Sequence, residues 1–227
     1  MSDVPVITID GPSGSGKGTV SRAVASALGW HFLDSGALYR LVALAASRQG
    51  VNPEDAAAQA RVAAQMDVQF ATRPDGAEQV LLEGQDVTEA LRSEQTGNAA
   101  SKVAAVPQVR AALVERQRKF ARPPGLVADG RDMGTVIFPR AILKIFLTAT
   151  PEERALRRYK QLKEKGLGVS LAALSRELAE RDTRDASRKL APLEAAGDAV
   201  RLDSTGIEVA EVVSRIVQLA HRRFSIG

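Results

Sequence analysis

The chain has 227 residues, which suits one large domain or a core with an insertion. It contains no cysteine, so disulfide bonds and thiolate chemistry are excluded, and we expect a cytoplasmic location. The net charge of +4 is compatible with nucleic acid or with an anionic small substrate. No signal peptide pattern is visible, and no apolar run approaches the ~18 residues that a membrane helix needs.

Strand and helix patterns alternate along most of the chain, which is typical of an α/β fold. Short apolar runs predict five strands, at 4–10, 31–33, 126–128, 142–147 and 199–202. Helical spacing of apolar residues predicts helices at 17–28, 36–50, 107–120, 151–165, 170–184 and 207–222. We therefore expect a five-stranded parallel sheet flanked by helices on both faces.

One stretch breaks this alternation. Segments 67–72 and 78–82 predict two strands, and the intervening Arg-Pro-Asp-Gly at 73–76 predicts a turn. A hairpin inside an alternating chain indicates an inserted subdomain. We place this β-containing insertion at 62–100, and the core at 1–61 and 101–227.

A glycine-rich loop follows the first predicted strand and ends in a lysine that opens a helix. From Gly11 to Lys17 the sequence fits the phosphate-loop pattern Gly-x-x-x-x-Gly-Lys. Inward-pointing amides and the positive end of the helix predict a cradle for a polyphosphate, to which the lysine adds a mobile charge. The predicted binding residues are Gly11, Pro12, Ser13, Gly14, Ser15, Gly16, Lys17, Gly18 and Thr19. A glycine-rich turn without a ligand is the alternative.

The loop departs from the common pattern at its last position. Gly18 stands where a serine or threonine hydroxyl usually binds magnesium, and Thr19 follows it. The Gly-Lys-Gly-Thr ending resembles that of nucleoside monophosphate kinases. We therefore expect Mg²⁺ to be bound mainly through nucleotide phosphates and water, and we assign it no protein ligand.

Two further polar clusters follow predicted strands, at 34–40 and 129–134. In a doubly wound sheet the ligand crevice lies beyond the carboxyl ends of the strands, so Arg40 and Arg131 are expected there. Arginine binds phosphate oxygens in a fixed fork, and the two together predict a second phosphate site. For each arginine alone, a surface ion pair with Asp34, Asp129 or Asp132 is the alternative.

The predicted helices at 151–165 and 170–184 are rich in arginine and lysine. Arg154 and Arg158 share a helical face. We interpret the segment at about 151–168 as a helical lid that brings arginines to a transferring phosphoryl group and excludes water. Because glutamates are interspersed, a solvated charged face is the competing interpretation.

These segments together resemble the bacterial cytidylate kinase family, within the nucleoside monophosphate kinase group of P-loop kinases. The most specific part is Asp-Gly-Arg-Asp-Met-Gly at 129–134 combined with Asp-Ser-Gly-x-x-Tyr-Arg at 34–40. The loop at 7–19, Asn-Ala-Ala-Ser at 98–101, and Glu-Arg-Asp at 180–182 with Arg184, Asp185 and Arg188 extend the resemblance over nearly the whole chain. It implies a P-loop kinase fold in which the 62–100 insertion binds the monophosphate.

The implied reaction transfers the γ-phosphoryl group of ATP to CMP or dCMP with Mg²⁺. The resemblance places Ser101, Arg110 and Asp132 against the base, Ser35, Arg40 and Arg131 near the CMP phosphate, and Arg181, Asp185 and Arg188 near the sugar and phosphate. Tyr39 and Asp129, within the matching segments, complete the predicted CMP site. The predicted catalytic cations are Lys17, Arg131, Arg154 and Arg158. No general base is needed, because the second pKa of a phosphate monoester is about 6.

Two other functions fit parts of the sequence. A kinase of the same fold could act on AMP, UMP or a small metabolite. A nucleic-acid-binding P-loop NTPase or a GTP switch fits less well, since no Asn-Lys-x-Asp motif and no aromatic-rich stacking surface is evident. The expected partners are therefore small nucleotides rather than nucleic acid or a membrane, and a monomer is the default.

Overall fold

The computed structural model describes residues 4–73, 78–164 and 166–224. In chain order the strands are β1 (Val6–Asp10), β2 (His31–Asp34), β3 (Val68–Thr72), β4 (Glu78–Leu82), β5 (Gln85–Asp86), β6 (Leu126–Gly130), β7 (Leu143–Thr148) and β8 (Val200–Asp203). The helices are α1 (Lys17–Leu28), α2 (Ser35–Arg48), α3 (Ala56–Gln65), α4 (Thr88–Leu91), α5 (Glu94–Val103), α6 (Pro107–Arg118), α7 (Pro151–Glu164), α8 (Leu171–Ala186) and α9 (Val209–Phe224). A π-helical turn spans Met133–Ile137.

The chain forms two compact units. The first comprises Met1–Asp34 and Gln117–Gly227, and the second comprises Ser35–Arg116. The second unit includes the predicted insertion at 62–100 and also residues 35–61 and 101–116, which the sequence placed with the core. The difference arises because α2 packs against α5 and contacts α3 and α4, so these helices share one set of contacts.

The first unit is built on a five-stranded sheet in the order β2-β6-β1-β7-β8. Every neighbouring pair is parallel, which confirms the predicted sheet. Ile7 on the central strand lies opposite Val127 on β6 and Leu143 on β7. All five residues of β1 are buried, which explains its apolar sequence.

The core of the first unit lies between the sheet and the helices α1 and α9. Ile7 and Ile9 of β1 pack in one cluster with Val24 of α1 and Ile216 of α9. At the edge of this cluster the rings of Trp30 and Phe224 meet edge to face, with 5.2 Å between their centres. This packing fixes the central strand, and therefore the position of the loop that follows it.

The second unit contains the antiparallel sheet β3-β4-β5, the helices α2 to α5 and most of α6. Strands β3 and β4 confirm the predicted hairpin, while residues 74–76 of the predicted turn lie outside the described residues. Apolar spacing does not predict α3, α4 and α5, because alanine and polar residues dominate them. The N-termini of α3 and α5 carry ordinary capping residues: Asp55 accepts from the Ala58 amide at 2.8 Å, and Ser93 accepts from the Thr96 amide at 3.1 Å.

The helices α7 and α8 pack against each other in the first unit. Thr150 begins α7 by accepting from the Glu153 amide at 3.3 Å, which is one half of a capping box, while the Thr150 amide donates to the Thr205 Oγ1 at 3.0 Å. Lys165, where the sequence predicts the end of this helix, lies outside the described residues. Within the described ranges no helix is both long enough and apolar enough to cross a membrane.

Candidate functional site

The loop between β1 and α1 turns sharply at the carboxyl end of the central strand. Gly16 begins α1 with a φ of 85°, a left-handed conformation that other residues rarely adopt. A Cβ at Gly11 would lie 2.0 Å from the carbonyl oxygen of Leu147 on β7, so the close approach of these segments requires glycine. Because the helix starts at Lys17 without an acidic residue in its first turn, its N-terminus is suited to an external anion.

The Lys17 side chain folds back onto the phosphate loop. Its Nζ donates a hydrogen bond to the carbonyl oxygen of Pro12 at 3.2 Å. Burial and the nearby Arg131 guanidinium lower the pKa of the Lys17 ammonium group to about 7, with Arg181 adding to the repulsion. The carboxylate of Asp129 opposes this shift without cancelling it. An anion bound beside these cations would relieve the repulsion.

The loop that follows β6 is anchored by Asp10, the last residue of β1. Its two carboxylate oxygens accept from the amides of Met133 at 2.9 Å and Gly134 at 2.8 Å. Burial raises the pKa of Asp10 to about 7 despite these amides, and repulsion from Asp132 and Asp129 contributes to the rise. Sequence patterns did not single out Asp10, because its partners lie 123 and 124 positions away in the chain.

Ser13 in the phosphate loop is contacted by two arginines. Nη2 of Arg131 lies 2.7 Å from the Ser13 Oγ, to which it donates. Nη1 of Arg154 donates to the Ser13 carbonyl oxygen at 2.9 Å and to Oδ2 of Asp182 at 2.5 Å. Two of the four predicted catalytic cations, from separate parts of the sequence, thus meet at one loop residue.

Asp185 on α8 neutralises part of this positive charge. Nε of Arg131 donates to its Oδ2 at 3.0 Å, and Nη2 of Arg188 donates to its Oδ1. Burial alone would raise the pKa of Asp185, but the charges of Arg131, Arg188 and Arg181 hold it at about 2. The structure therefore brings together four of the residues predicted to bind the CMP sugar and phosphate.

Arg157 contacts the phosphate loop, although sequence patterns did not select it as a site residue. Its Nη1 donates to the Ser15 carbonyl oxygen at 3.2 Å and to the Ser204 Oγ at 3.0 Å. The predicted catalytic residue Arg158 donates instead to Gln161 on its own helix at 3.2 Å. The useful signal is helical spacing, since Arg157 lies three positions after Arg154 and shares its face.

Two further predicted residues lie at the end of β6. Asp129 is buried, and a Cβ at Gly18 would be 3.3 Å from its Oδ2. The small residue at position 18 therefore leaves space for this carboxylate against the loop. Asp132 is also buried, and its carbonyl oxygen accepts from the Ile137 amide at 3.2 Å, five positions further on, which is the hydrogen bond that defines the π-helical turn.

The remaining predicted site residues belong to the second unit. Ser35, Tyr39, Ser101 and Arg110 are buried there, and Arg40 is half-buried. The Arg110 guanidinium carbon lies 5.5 Å from the centre of the Tyr39 ring, and its Nη1 donates to the Ala104 carbonyl oxygen at 3.1 Å. Contacts between α2 and α5 bring the segments that carry Tyr39 and Ser101 together.

Comparison with known proteins identifies similar chains. The family model described as "Cytidylate kinase" matches residues 7–222. A curated protein named "Cytidylate kinase" from Stutzerimonas stutzeri is 60% identical over 218 residues, covering 96% of this chain and 95% of the relative. One of the same name from Azotobacter vinelandii is 58% identical over 213 residues, covering 93% of each chain.

A solved structure of an uncharacterised protein from Eubacterium ventriosum has a TM-score of 0.53 and 12% sequence identity. The match covers 97% of this chain and 100% of that one. At this identity the likeness concerns the fold alone, and it extends over both units of the chain.

Proposed function

Because the chain belongs to the cytidylate kinase family, we propose that it transfers the γ-phosphoryl group of ATP to CMP or dCMP, giving ADP and CDP or dCDP. The structural observation that carries this proposal is the convergence of Lys17 and Arg131 on the phosphate loop. Arg131 lowers the pKa of Lys17, so the two cations repel each other until an anion lies between them. A transferring phosphoryl group is such an anion.

The triphosphate of ATP binds residues 11–19 of the phosphate loop. Backbone amides and the N-terminus of α1 offset the charge of its phosphates, and Lys17 follows the group that moves. These groups act by positioning and by electrostatic stabilisation, which is the main requirement of phosphoryl transfer. The acceptor oxygen of CMP is already largely ionised at neutral pH, since the second pKa of a phosphate monoester is about 6.

The CMP phosphate binds the arginines around Asp185. Arg131 and Arg188 are paired with this carboxylate, and a nucleotide phosphate competes with it for the same guanidinium groups. Asp185 is then able to accept a hydrogen bond from a ribose hydroxyl. We further assign Arg181 to the sugar, and Asp132, Ser101 and Arg110 to the base. The remaining residues of the proposed CMP site are Ser35, Tyr39, Arg40 and Asp129.

Mg²⁺ is the metal that this family implies, and the residues beside the loop fit it. Gly18 has no hydroxyl, but the Asp129 carboxylate approaches the same backbone position. Carboxylate oxygens bind magnesium readily through its water shell, and Asp129 would hold the ion in that way together with ATP phosphates. When bound, Mg²⁺ neutralises charge on the phosphate oxygens.

The predicted lid at about 151–168, which contains α7, closes over the transferring group. Arg154 and Arg157 both contact carbonyl oxygens of the phosphate loop, so a displacement of α7 would be felt directly at the loop. Closure would exclude water and limit ATP hydrolysis. We also propose that Arg158 places positive charge near the transferring phosphoryl group when the lid closes.

An acceptor screen tests the function. Purified protein with ATP and Mg²⁺ is offered CMP, dCMP, UMP and AMP, and the diphosphate product is quantified directly. We expect CDP and dCDP to form much faster than UDP or ADP from AMP. Equal rates with UMP and CMP would refute the cytosine assignment, and ATPase activity stimulated by DNA in a salt-sensitive way would favour the nucleic-acid alternative.

We propose a cytoplasmic monomer that acts on free nucleotides, without nucleic acid or membrane as a partner. Support comes from the absence of cysteine, which suits a reducing compartment, and from a reaction whose substrates are small. Light scattering at several protein concentrations tests the monomer.

A further inference from the structure

Asp10 connects the central strand to the loop that carries Arg131. It is 5% exposed, and its two carboxylate oxygens each accept one backbone amide, from Met133 and from Gly134. Two consecutive amides bound by one carboxylate fix both the position and the orientation of the peptide between them. The start of the π-helical turn is therefore tied to the end of β1.

The same residue also limits the other end of this loop. In the parallel register Asp10 lies opposite Gly130, the last residue of β6. Only Arg131 and Asp132 stand between Gly130 and the anchored Met133. The segment is thus held at both ends by the Asp10 region, which leaves its two side chains little freedom to shift together.

The anchored segment determines where the Arg131 guanidinium lies. Arg131 reaches the Ser13 Oγ with one nitrogen and the Asp185 carboxylate with another. Arg131 lies only two positions before Met133, so both contacts depend on where Asp10 holds this backbone. A displaced loop would break the alignment of Arg131 between the phosphate loop and α8.

A buried carboxylate at position 10 is unfavourable for the stability of the fold. Burying a charged group near two other carboxylates, those of Asp129 and Asp132, is unfavourable unless its hydrogen bonds offset the cost. The opposite side of the contact is equally restricted, because a Cβ at Gly134 would lie 2.9 Å from the Thr8 Oγ1 and 3.4 Å from the Asp10 Oδ2. Such a close, costly contact suggests a role in alignment.

We propose that Asp10 is a positioning residue for phosphoryl transfer, which acts by holding the 131–134 loop so that Arg131 faces both the phosphate loop and the acceptor phosphate. This inference rests on the proposed kinase activity. It requires the effect of Asp10 to pass through Arg131, and that requirement can be measured separately from the activity itself.

The test substitutes Asp10→Asn, which preserves the shape of the side chain but places an NH₂ group against one of the two amides. We expect the KM for CMP to rise about tenfold or more and kcat to fall, because small displacements of an aligned group cost up to ~10²-fold in rate. The KM for ATP should change less than about threefold. Glu208→Gln, the same carboxylate-to-amide change at an exposed position of the first unit, is the matched control and should leave both constants unchanged.

A double-mutant cycle with Arg131→Ala identifies the route of the effect. If Asp10 acts through Arg131, Asp10→Asn should change the KM for CMP by less than about twofold in the Arg131→Ala background. A full additional tenfold effect in that background would overturn the proposal. Equal rises in the KM for ATP and CMP, or unchanged constants in folded Asp10→Asn protein, would overturn it as well.

Gly134→Ala changes the loop residue that Asp10 contacts, and it provides an independent test of the positioning role. It replaces Asp10→Asn as the test if that variant does not fold. The added methyl group should displace the same loop and give the same selective rise in the KM for CMP, and absence of that selectivity would refute the proposal. If wild-type protein prefers another nucleotide, the same measurements are made with that acceptor. The assignment of CMP as the substrate would then be wrong, and the positioning role of Asp10 would be tested with the preferred nucleotide.

Discussion

The phosphate loop of the first unit and the predicted base-recognition residues of the second unit are built in different ways. The loop is one continuous segment at 11–19 whose backbone and Lys17 supply the anion-binding groups. The predicted base-recognition residues of the second unit are single side chains from separate helices, with Ser101 on α5 and Arg110 on α6. Local sequence therefore specifies the first region, whereas the second depends on how helices pack.

Removing the Lys17 side chain should cause the largest loss of activity of the changes proposed here. Lys17→Ala deletes the charge that follows the transferring group, and we expect kcat to fall by about 10²- to 10³-fold, the scale of losing one preorganised electrostatic contact. The thermal midpoint should stay close to that of wild type, because the same change removes a desolvated charge. Steady-state kinetics and calorimetry measure both.

The exposed Lys119 provides the control for this substitution. Lys119→Ala should leave turnover unchanged. Wild-type turnover in Lys17→Ala would mean that the loop does not hold the transferring group, and the contrast between the two regions would lose its basis.

A change in the second unit should affect the acceptor and leave ATP untouched. Arg110→Met removes the guanidinium beside the Tyr39 ring and the bond to the Ala104 carbonyl oxygen while keeping much of the side-chain volume. We expect the KM for CMP to rise about tenfold, since a hydrogen bond to a charged group contributes ~1.5–3 kcal/mol. The KM for ATP should stay within about twofold, and CMP should be discriminated less well from UMP.

Arg92→Met serves as the reference in the same unit, because this side chain is 48% exposed and pairs only locally with Glu89 in the contact described. It should not alter either constant. A parallel loss of ATP and CMP use in Arg110→Met would indicate general damage to the unit rather than recognition of the acceptor.

The fold was largely predictable where local patterns are strong. The strand β1, the loop and α1 follow directly from an apolar run, glycines and a helical repeat, and α1 has the predicted bounds. Helices α3 and α5 were not predictable in this way, because α3 is mostly alanine with polar residues and α5 mixes glycine with polar residues. Their stability depends on packing against α2, which local patterns do not contain.

The candidate site was predictable to a smaller degree. Arginine content pointed to α7, but the choice of Arg158 over Arg157 depends on which helix face meets the loop. Only the tertiary structure shows that Arg157 contacts Ser15, whereas Arg158 donates to Gln161. Asp10 was missed for a similar reason, because its hydrogen bonds cross more than a hundred positions of the chain.

These neighbouring arginines allow a matched test within the first unit. Arg157→Ala removes contacts to Ser15 and Ser204 and should raise the KM for ATP about tenfold, on the scale of one or two hydrogen bonds from a charged donor. Arg158→Ala should change it less than about twofold. If Arg158→Ala instead lowers kcat strongly while Arg157→Ala does not, Arg158 reaches the phosphoryl group in the closed enzyme and the original lid prediction holds.

The smallest expected effect concerns protons and arises from the first region alone. The pKa of Lys17 lies at about 7 because of burial and the nearby Arg131. A bound triphosphate raises it again, so binding above pH 7 must take up a proton, whereas at lower pH the lysine is already charged. The affinity for ATP should therefore fall about fivefold from pH 7 to pH 8, with uptake approaching one proton at pH 8. Calorimetry in buffers of different ionisation enthalpy measures this uptake, and Lys17→Ala should abolish it. If Lys17→Ala takes up the same number of protons, the proton binds to another group, and the lowered pKa of Lys17 does not control ATP binding.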